Sequence, residues 1–177
     1  MTQERHNPKR RQTLAESRLL MEYLAERYEG RQWFVHPRMG ADPDMTGIDP
    51  ADEGRRRFQR NFNRWADAVV VDERELIVIE ARMWDPSRAV GKLLEYMLLV
   101  PATPDLQPFL PRRLVGEVLT LQHDALGQLV IERAGLRYVH FDRPWAEDYY
   151  AIYPRNRRVA PHVGLVERLA QLTDDSP

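Results

Sequence analysis

Asp67, Glu80, Arg82 and Lys92 are the residues whose types and spacing could do chemistry together. Asp67 stands at the head of one apolar run. Glu80 and Arg82 stand at the tail of the next, after the short turn DER. If the two runs pair as antiparallel strands, the head of the first lies beside the tail of the second, and the carboxylates converge at one end of the sheet. Buried carboxylates are costly unless something compensates them. A divalent cation does so: Mg²⁺ prefers hard oxygen ligands and keeps several waters. It can also activate a water and stabilise the charge that develops on a phosphodiester. Glu80 and Arg82 are two positions apart and share a face of their strand. The plain structural alternative is that Asp67 caps its strand and that Glu80 and Arg82 form an ion pair of little energetic consequence.

The chain has 26 lysines and arginines, of which only Lys9 and Lys92 are lysines. Lys9 sits in a polar N-terminal stretch, whereas Lys92 falls on a helical pattern. Arg88 at i−4 and Glu95 at i+3 share its face. The alternative for Lys92 is an ordinary solvated lysine.

The elements that must position these groups follow from periodicity. Residues 1–12 read as a flexible basic arm. Thr13 and Glu16 have capping-box spacing before a helix that Gly30 stops. QWFVHP (32–37) reads as a strand. Asp49-Pro50 begins a short helix that the basic stretch after it continues. Strands are expected at 66–71 and 75–82 as a hairpin, and at 113–122 and 136–141. Helices are expected at 87–100 and 124–135, with an amphipathic one in HVGLVERLAQL near the C-terminus. The alternation implies one sheet with helices on both faces, hence an α/β domain over 13–177 with an aromatic C-terminal extension.

Asp67, the hairpin, Glu80-Ala81-Arg82 and the helix carrying Lys92 resemble the PD-(D/E)xK nuclease superfamily over roughly residues 13–141. The resemblance implies a restriction-endonuclease-like core. That core is a single mixed β-sheet flanked by helices in α-β-β-β-α-β order, here with an additional α-β and a C-terminal helix. It implies that Asp67 and Glu80 bind Mg²⁺ or Mn²⁺, with the Ala81 carbonyl as a third ligand. Glu16 or Glu22 of the first helix would supply a further carboxylate. The sequence departs from the family at position 82, where Arg replaces Lys. An arginine is always protonated and clamps a phosphate through a planar fork, but it is a poor stand-in for a compact ammonium. Some members carry the lysine, or a glutamine, on the following helix, which makes Lys92 the substitute.

Other signals are weaker. The arginines of RRRFQRNFNR (Arg55, Arg56, Arg57, Arg60 and Arg64) suit contact with DNA phosphates. The alternative is a solvated helix face whose Phe58 and Phe62 enter the core. DPDMTGIDPADE reads as a capped acidic loop rather than a calcium loop, because prolines interrupt it and Asp49 occupies the usual apolar position. The aromatics of 141–154 suit either an interface or a covered sheet end. His36, His123 and His140 are dispersed and read as structural. Cysteine is absent, which excludes disulfides and thiolate metal sites. No apolar run reaches a membrane span and the N-terminus lacks a signal-peptide core, so no membrane association is expected.

The expectation is a PD-(D/E)xK-like DNA-handling protein, a metal-dependent deoxyribonuclease if active. The alternative is a catalytically lapsed copy of the fold serving as a phage virion or head–tail connector component. DNA is the expected partner, or a homo-oligomer or phage structural partner. The expected location is the cytoplasm of a host cell or a virion.

Overall fold

The computed structural model describes residues 8–41, 49, 51–55 and 64–152, with side chains from residue 13 onward. Most of the acidic loop, Arg56, Arg57, Arg60 and the C-terminal HVGLVERLAQL segment lie outside the described residues. The elements are α1 (Pro8–Arg27), β1 (Gln32–Val35), β2 (Arg38–Met39), β3 (Arg64–Trp65), β4 (Ala68–Val71), β5 (Glu75–Arg82), α2 (Ala89–Leu99), β6 (Arg113–Thr120), α3 (Ala125–Arg133), β7 (Arg137–His140) and α4 (Ala146–Ile152).

The main sheet has the order β1-β4-β5-β6-β7. The β1-β4 and β4-β5 pairs are antiparallel, while β5-β6 and β6-β7 are parallel. The central strand β5, ELIVIEAR, is apolar almost throughout because both of its faces are covered. One face packs Leu20, Tyr23 and Leu24 of α1 and Tyr149 of α4 on Val70, Ile77 and Ile79. The other packs Leu93 and Tyr96 of α2 and Ile131 of α3 on Val69, Val78 and Val118. The expected mixed sheet flanked by helices is therefore what the chain forms. No helix among the described residues is long and apolar enough to cross a membrane.

Two expectations need correction. α1 begins at Pro8 rather than at a Thr13 cap, and the Thr13 carbonyl accepts the Ser17 hydroxyl within the helix (2.8 Å). The expected strand 66–71 starts two residues later, at Ala68. Arg64 and Trp65 pair with β2, whereas Ala68–Val71 pairs with β1, so the chain bends at Ala66-Asp67. Of the two readings of the aromatic segment, the covered sheet end is the one formed, and part of the segment is helix α4. Phe141 packs edge-on against Tyr23 (5.1 Å between ring centroids), and Tyr149 and Tyr150 are buried. These aromatics are core, because α4 closes the sheet face that α1 leaves open.

Gly116 of β6 gives a local test of this packing. A Cβ there would lie 2.6 Å from Leu136 Cδ2 and 2.7 Å from Met97 Sδ. Both are ends of flexible side chains, so Gly116→Ala is expected to cost about 1–2 kcal/mol in urea unfolding rather than to prevent folding.

Candidate metal centre

The bend between β3 and β4 places Asp67. Its carbonyl accepts the His36 N–H (3.0 Å), and the preceding Ala66 N–H reaches the Pro37 carbonyl (3.2 Å), so the β1-β2 segment holds the bend on one side. On the other side the hairpin pairs Ala68 with Ile79. One further step of that register sets Asp67 opposite Glu80. Asp67 Oδ2 accepts the Ala81 N–H at 2.8 Å, which ties the carboxylate to β5. The hairpin thus brings the two acids together, as their positions in the sequence implied.

Glu80 is fully buried. Its Oε1 meets both cations: Lys92 Nζ at 2.6 Å and Arg82 Nη2 at 2.7 Å. Its Oε2 is buried with no hydrogen-bond partner. Burial, and then the Asp67 charge, push the Glu80 carboxyl up to about 7, while Lys92 and Arg82 pull it down. Burial disfavours the Lys92 ammonium, but the bond to Glu80 outweighs it and holds the group above its ordinary value.

Tyr96 completes the cluster and was not singled out in the sequence. Its hydroxyl donates to the Trp65 carbonyl (2.6 Å), two residues before Asp67. Its ring centroid lies 5.3 Å from Lys92 Nζ. One side chain therefore braces both the Asp67 bend and the ammonium. The available signal was spacing: Tyr96 follows Lys92 by four residues on an amphipathic helix.

The remaining candidates fall elsewhere. Glu95, on the same helix as Lys92, holds Arg64 instead (2.6 Å). Arg88 pairs with Asp85 (2.7 Å) and the exposed Arg55 with Asp52 (3.4 Å). Glu16 rides on α1, against the opposite sheet face, and is not among the contacts of Glu80. Glu22 accepts the Trp145 indole N–H (2.9 Å) and pairs with Arg18, which fastens α1 to the segment before α4.

Two oxygen donors suit a divalent ion on chemical grounds. The orphaned Glu80 Oε2 lacks a partner, and the mutual repulsion of the two carboxylates disappears when a doubly charged cation joins them. Among the described residues no group of three or more His, Cys, Asp or Glu could hold a metal. The donor set is therefore sparse and matches an ion that keeps most of its waters, as Mg²⁺ does.

No family model and no curated protein matches the sequence. Two solved structures are similar in chain path. One is a repair endonuclease from Pyrococcus abyssi, at 14% identity and a TM-score of 0.44, aligned over 74% of this chain and 47% of that one. The other is an EndoMS–dsDNA complex, at 14% identity and a TM-score of 0.40, aligned over 74% and 45%. The chain spans less than half of either protein. Neither likeness bears on the chemistry of this site.

A second polar cluster lies on the opposite face and was missed in the sequence. Glu117 of β6, fully buried, accepts the Tyr23 hydroxyl (2.8 Å), the Tyr28 hydroxyl (3.4 Å) and Arg137 Nη1 (3.2 Å). Arg137 also binds Glu75 (2.8 Å), which Arg113 holds as well. The cluster lines a cavity of about 710 Å³. Burial raises the Glu117 carboxyl, against the pull of Tyr23 and Arg137, and pushes Tyr28 up to about 12. No local pattern announces it, because its members are separated by 89 and 94 positions. Tyr23→Phe leaves Glu117 Oε1 buried without a donor. It is expected to cost about 1–3 kcal/mol in urea unfolding and to leave divalent-ion affinity unchanged.

Proposed function

We propose that this chain is a metal-dependent nuclease of the PD-(D/E)xK kind acting on DNA. The observation that carries the reading is the convergence on Glu80: a fully buried carboxylate beside Asp67, with one oxygen bound to Lys92 and the other without a partner. Buried polar atoms are ordinarily satisfied, and this one lies beside a second carboxylate, where a divalent ion would partner it.

Asp67 and Glu80 would hold the ion, and the ion would supply an activated water and neutralise charge on the phosphodiester. Lys92 takes the place of the family's strand lysine. Its ammonium reaches the same carboxylate from the helix, is braced by Tyr96, and is compact enough to orient a water. Arg82, partly exposed beside it, has the fork suited to the scissile phosphate. Arg64 and Arg55 are exposed and ion-paired, and both exchange those exposed carboxylates for DNA phosphates at little cost.

The test is cleavage of supercoiled and linear DNA with Mg²⁺ or Mn²⁺. The native chain is expected to cut, and Asp67→Asn to lose at least about 10³-fold, since it removes an ion ligand from a site of two carboxylates. Equal activity in both proteins defeats the assignment. The lapsed-nuclease reading, a phage assembly component, keeps the fold and differs in one measurable respect: it predicts no divalent-ion binding at Asp67 and Glu80.

A further inference from the structure

His123 lies in the loop after β6 and His140 ends β7, and their separation in the sequence gives no reason to link them. The fold brings their rings to 5.8 Å between centroids, tilted by 53°. Both residues are exposed. His123 is also braced edge-on by Tyr138, at 6.2 Å and 73°. Tyr138 is itself fixed, because its hydroxyl accepts the Asp124 N–H (2.9 Å) and donates to the Gln122 carbonyl (3.4 Å). His123 thus rests against a fixed ring, and His140 stands on a hydrogen-bonded strand end.

The ring separation can be compared with what a metal requires. A zinc-class ion lies about 2.0–2.1 Å from each imidazole nitrogen, and so roughly 3 Å from each ring centre. Two rings meeting such an ion at a tetrahedral angle have centres about 5 Å apart, opening to about 6 Å at a wider angle. The 5.8 Å between His123 and His140 falls in that range, so side-chain rotation is enough to aim both rings at one ion. Dispersed surface histidines do not meet this condition.

The strand registers fix where that ion would sit. Arg82 pairs with Thr120, and Thr120 with His140, in one row across β5, β6 and β7. Paired residues share a face, so His140 lies on the same face and the same sheet end as Arg82 and Glu80. Two strand spacings separate His140 from Arg82, about 10 Å. The donors differ in kind: carboxylate oxygens select Mg²⁺ or Mn²⁺, whereas imidazole suits zinc, nickel and copper.

The geometry points to a second ion site, in which His123 and His140 bind a zinc-class divalent cation as a two-imidazole pair with water in the open positions. The site stands apart from the nuclease reading, since neither histidine touches Asp67, Glu80 or Lys92. The test is calorimetric titration of the untagged 177-residue chain with Zn²⁺, with excess Mg²⁺ present to occupy the carboxylate pair. One site is expected. His123→Ala and His140→Ala should each weaken it at least about tenfold, because losing a ligand exceeds the cost of losing an outer-shell partner. His36→Ala and Glu80→Gln should leave it unchanged. His140→Gln, which keeps a polar side chain of similar reach on the strand end, should behave as His140→Ala does, and circular dichroism confirms that each variant is folded. Absence of Zn²⁺ binding, or binding that survives both His140 substitutions, overturns the proposal. So does binding abolished by Glu80→Gln, which would assign the ion to the carboxylates instead.

Discussion

Lys92→Ala is expected to lower metal-dependent DNA cleavage by about 10²–10⁴-fold, the range for a positioned proton-transfer or water-orienting group. Mn²⁺ affinity should change far less than that. Lys92 is bound to Glu80 but does not supply an ion ligand, so its removal strips water orientation while both carboxylates remain. It also removes the strongest influence that lowers the Glu80 carboxyl, the hydrogen bond from Lys92. The pH profile of the residual activity should therefore move upward, and the comparison belongs above pH 8. Arg82→Lys separates the two cations: if Arg82 clamps phosphate, the substitution raises KM more than it lowers kcat, because a point charge replaces a fork. Single-turnover cleavage of a plasmid substrate reads both. Full activity in Lys92→Ala would leave Arg82 as the working cation and undo the helix-borne assignment.

The second large effect is on stability. Without divalent ion, the chain should become less stable as pH rises from 5 to 8. The Glu80 carboxyl is pushed up to about 7 in the fold against an ordinary value of 4.5, so between those limits the folded state binds more protons than the unfolded one. Stability contributed by the protonated carboxyl is fully present below the unfolded value and lost as pH passes through 7. The full difference is about 3 kcal/mol. Glu80→Gln cannot titrate there and should show a correspondingly flatter profile. Mn²⁺ at pH 8 should restore the native chain and leave Glu80→Gln unmoved. Urea denaturation at several pH values measures all three, and parallel profiles for the two proteins would contradict the account.

Much of this arrangement is legible in the sequence. The central hairpin is written in two apolar runs with a tight turn between them, and a hairpin's geometry decides which ends meet. That was enough to set Asp67 beside Glu80. The helix carrying Lys92 was legible too, from its apolar spacing. What the pattern could not weigh was sharing: Arg82 and Lys92 read as rivals for one role, yet both reach the same oxygen of Glu80. Strand and helix approach from different directions, and only the tertiary packing brings both cations to one atom.

The misses have a common cause. Asp67 sits at a break between the two-stranded sheet and the main sheet rather than inside one strand, because β2 captures Arg64 and Trp65 while β1 captures the residues after the bend. Glu117 finds its partners on α1 and β7, far away in sequence. His123 and His140 meet only because a parallel crossover lays β7 beside β6. Periodicity records which face a residue takes; it does not record which distant residue shares that face.

The most direct measurement is calorimetric titration with Mn²⁺ at pH 8 of the native chain beside Asp67→Asn and Glu80→Gln. The account predicts one bound ion in the native chain and none in either variant, with affinity falling roughly tenfold per pH unit below 7 as Glu80 takes up its proton. Mn²⁺ binding that is indifferent to both substitutions, or no binding at all in the native chain, would contradict it.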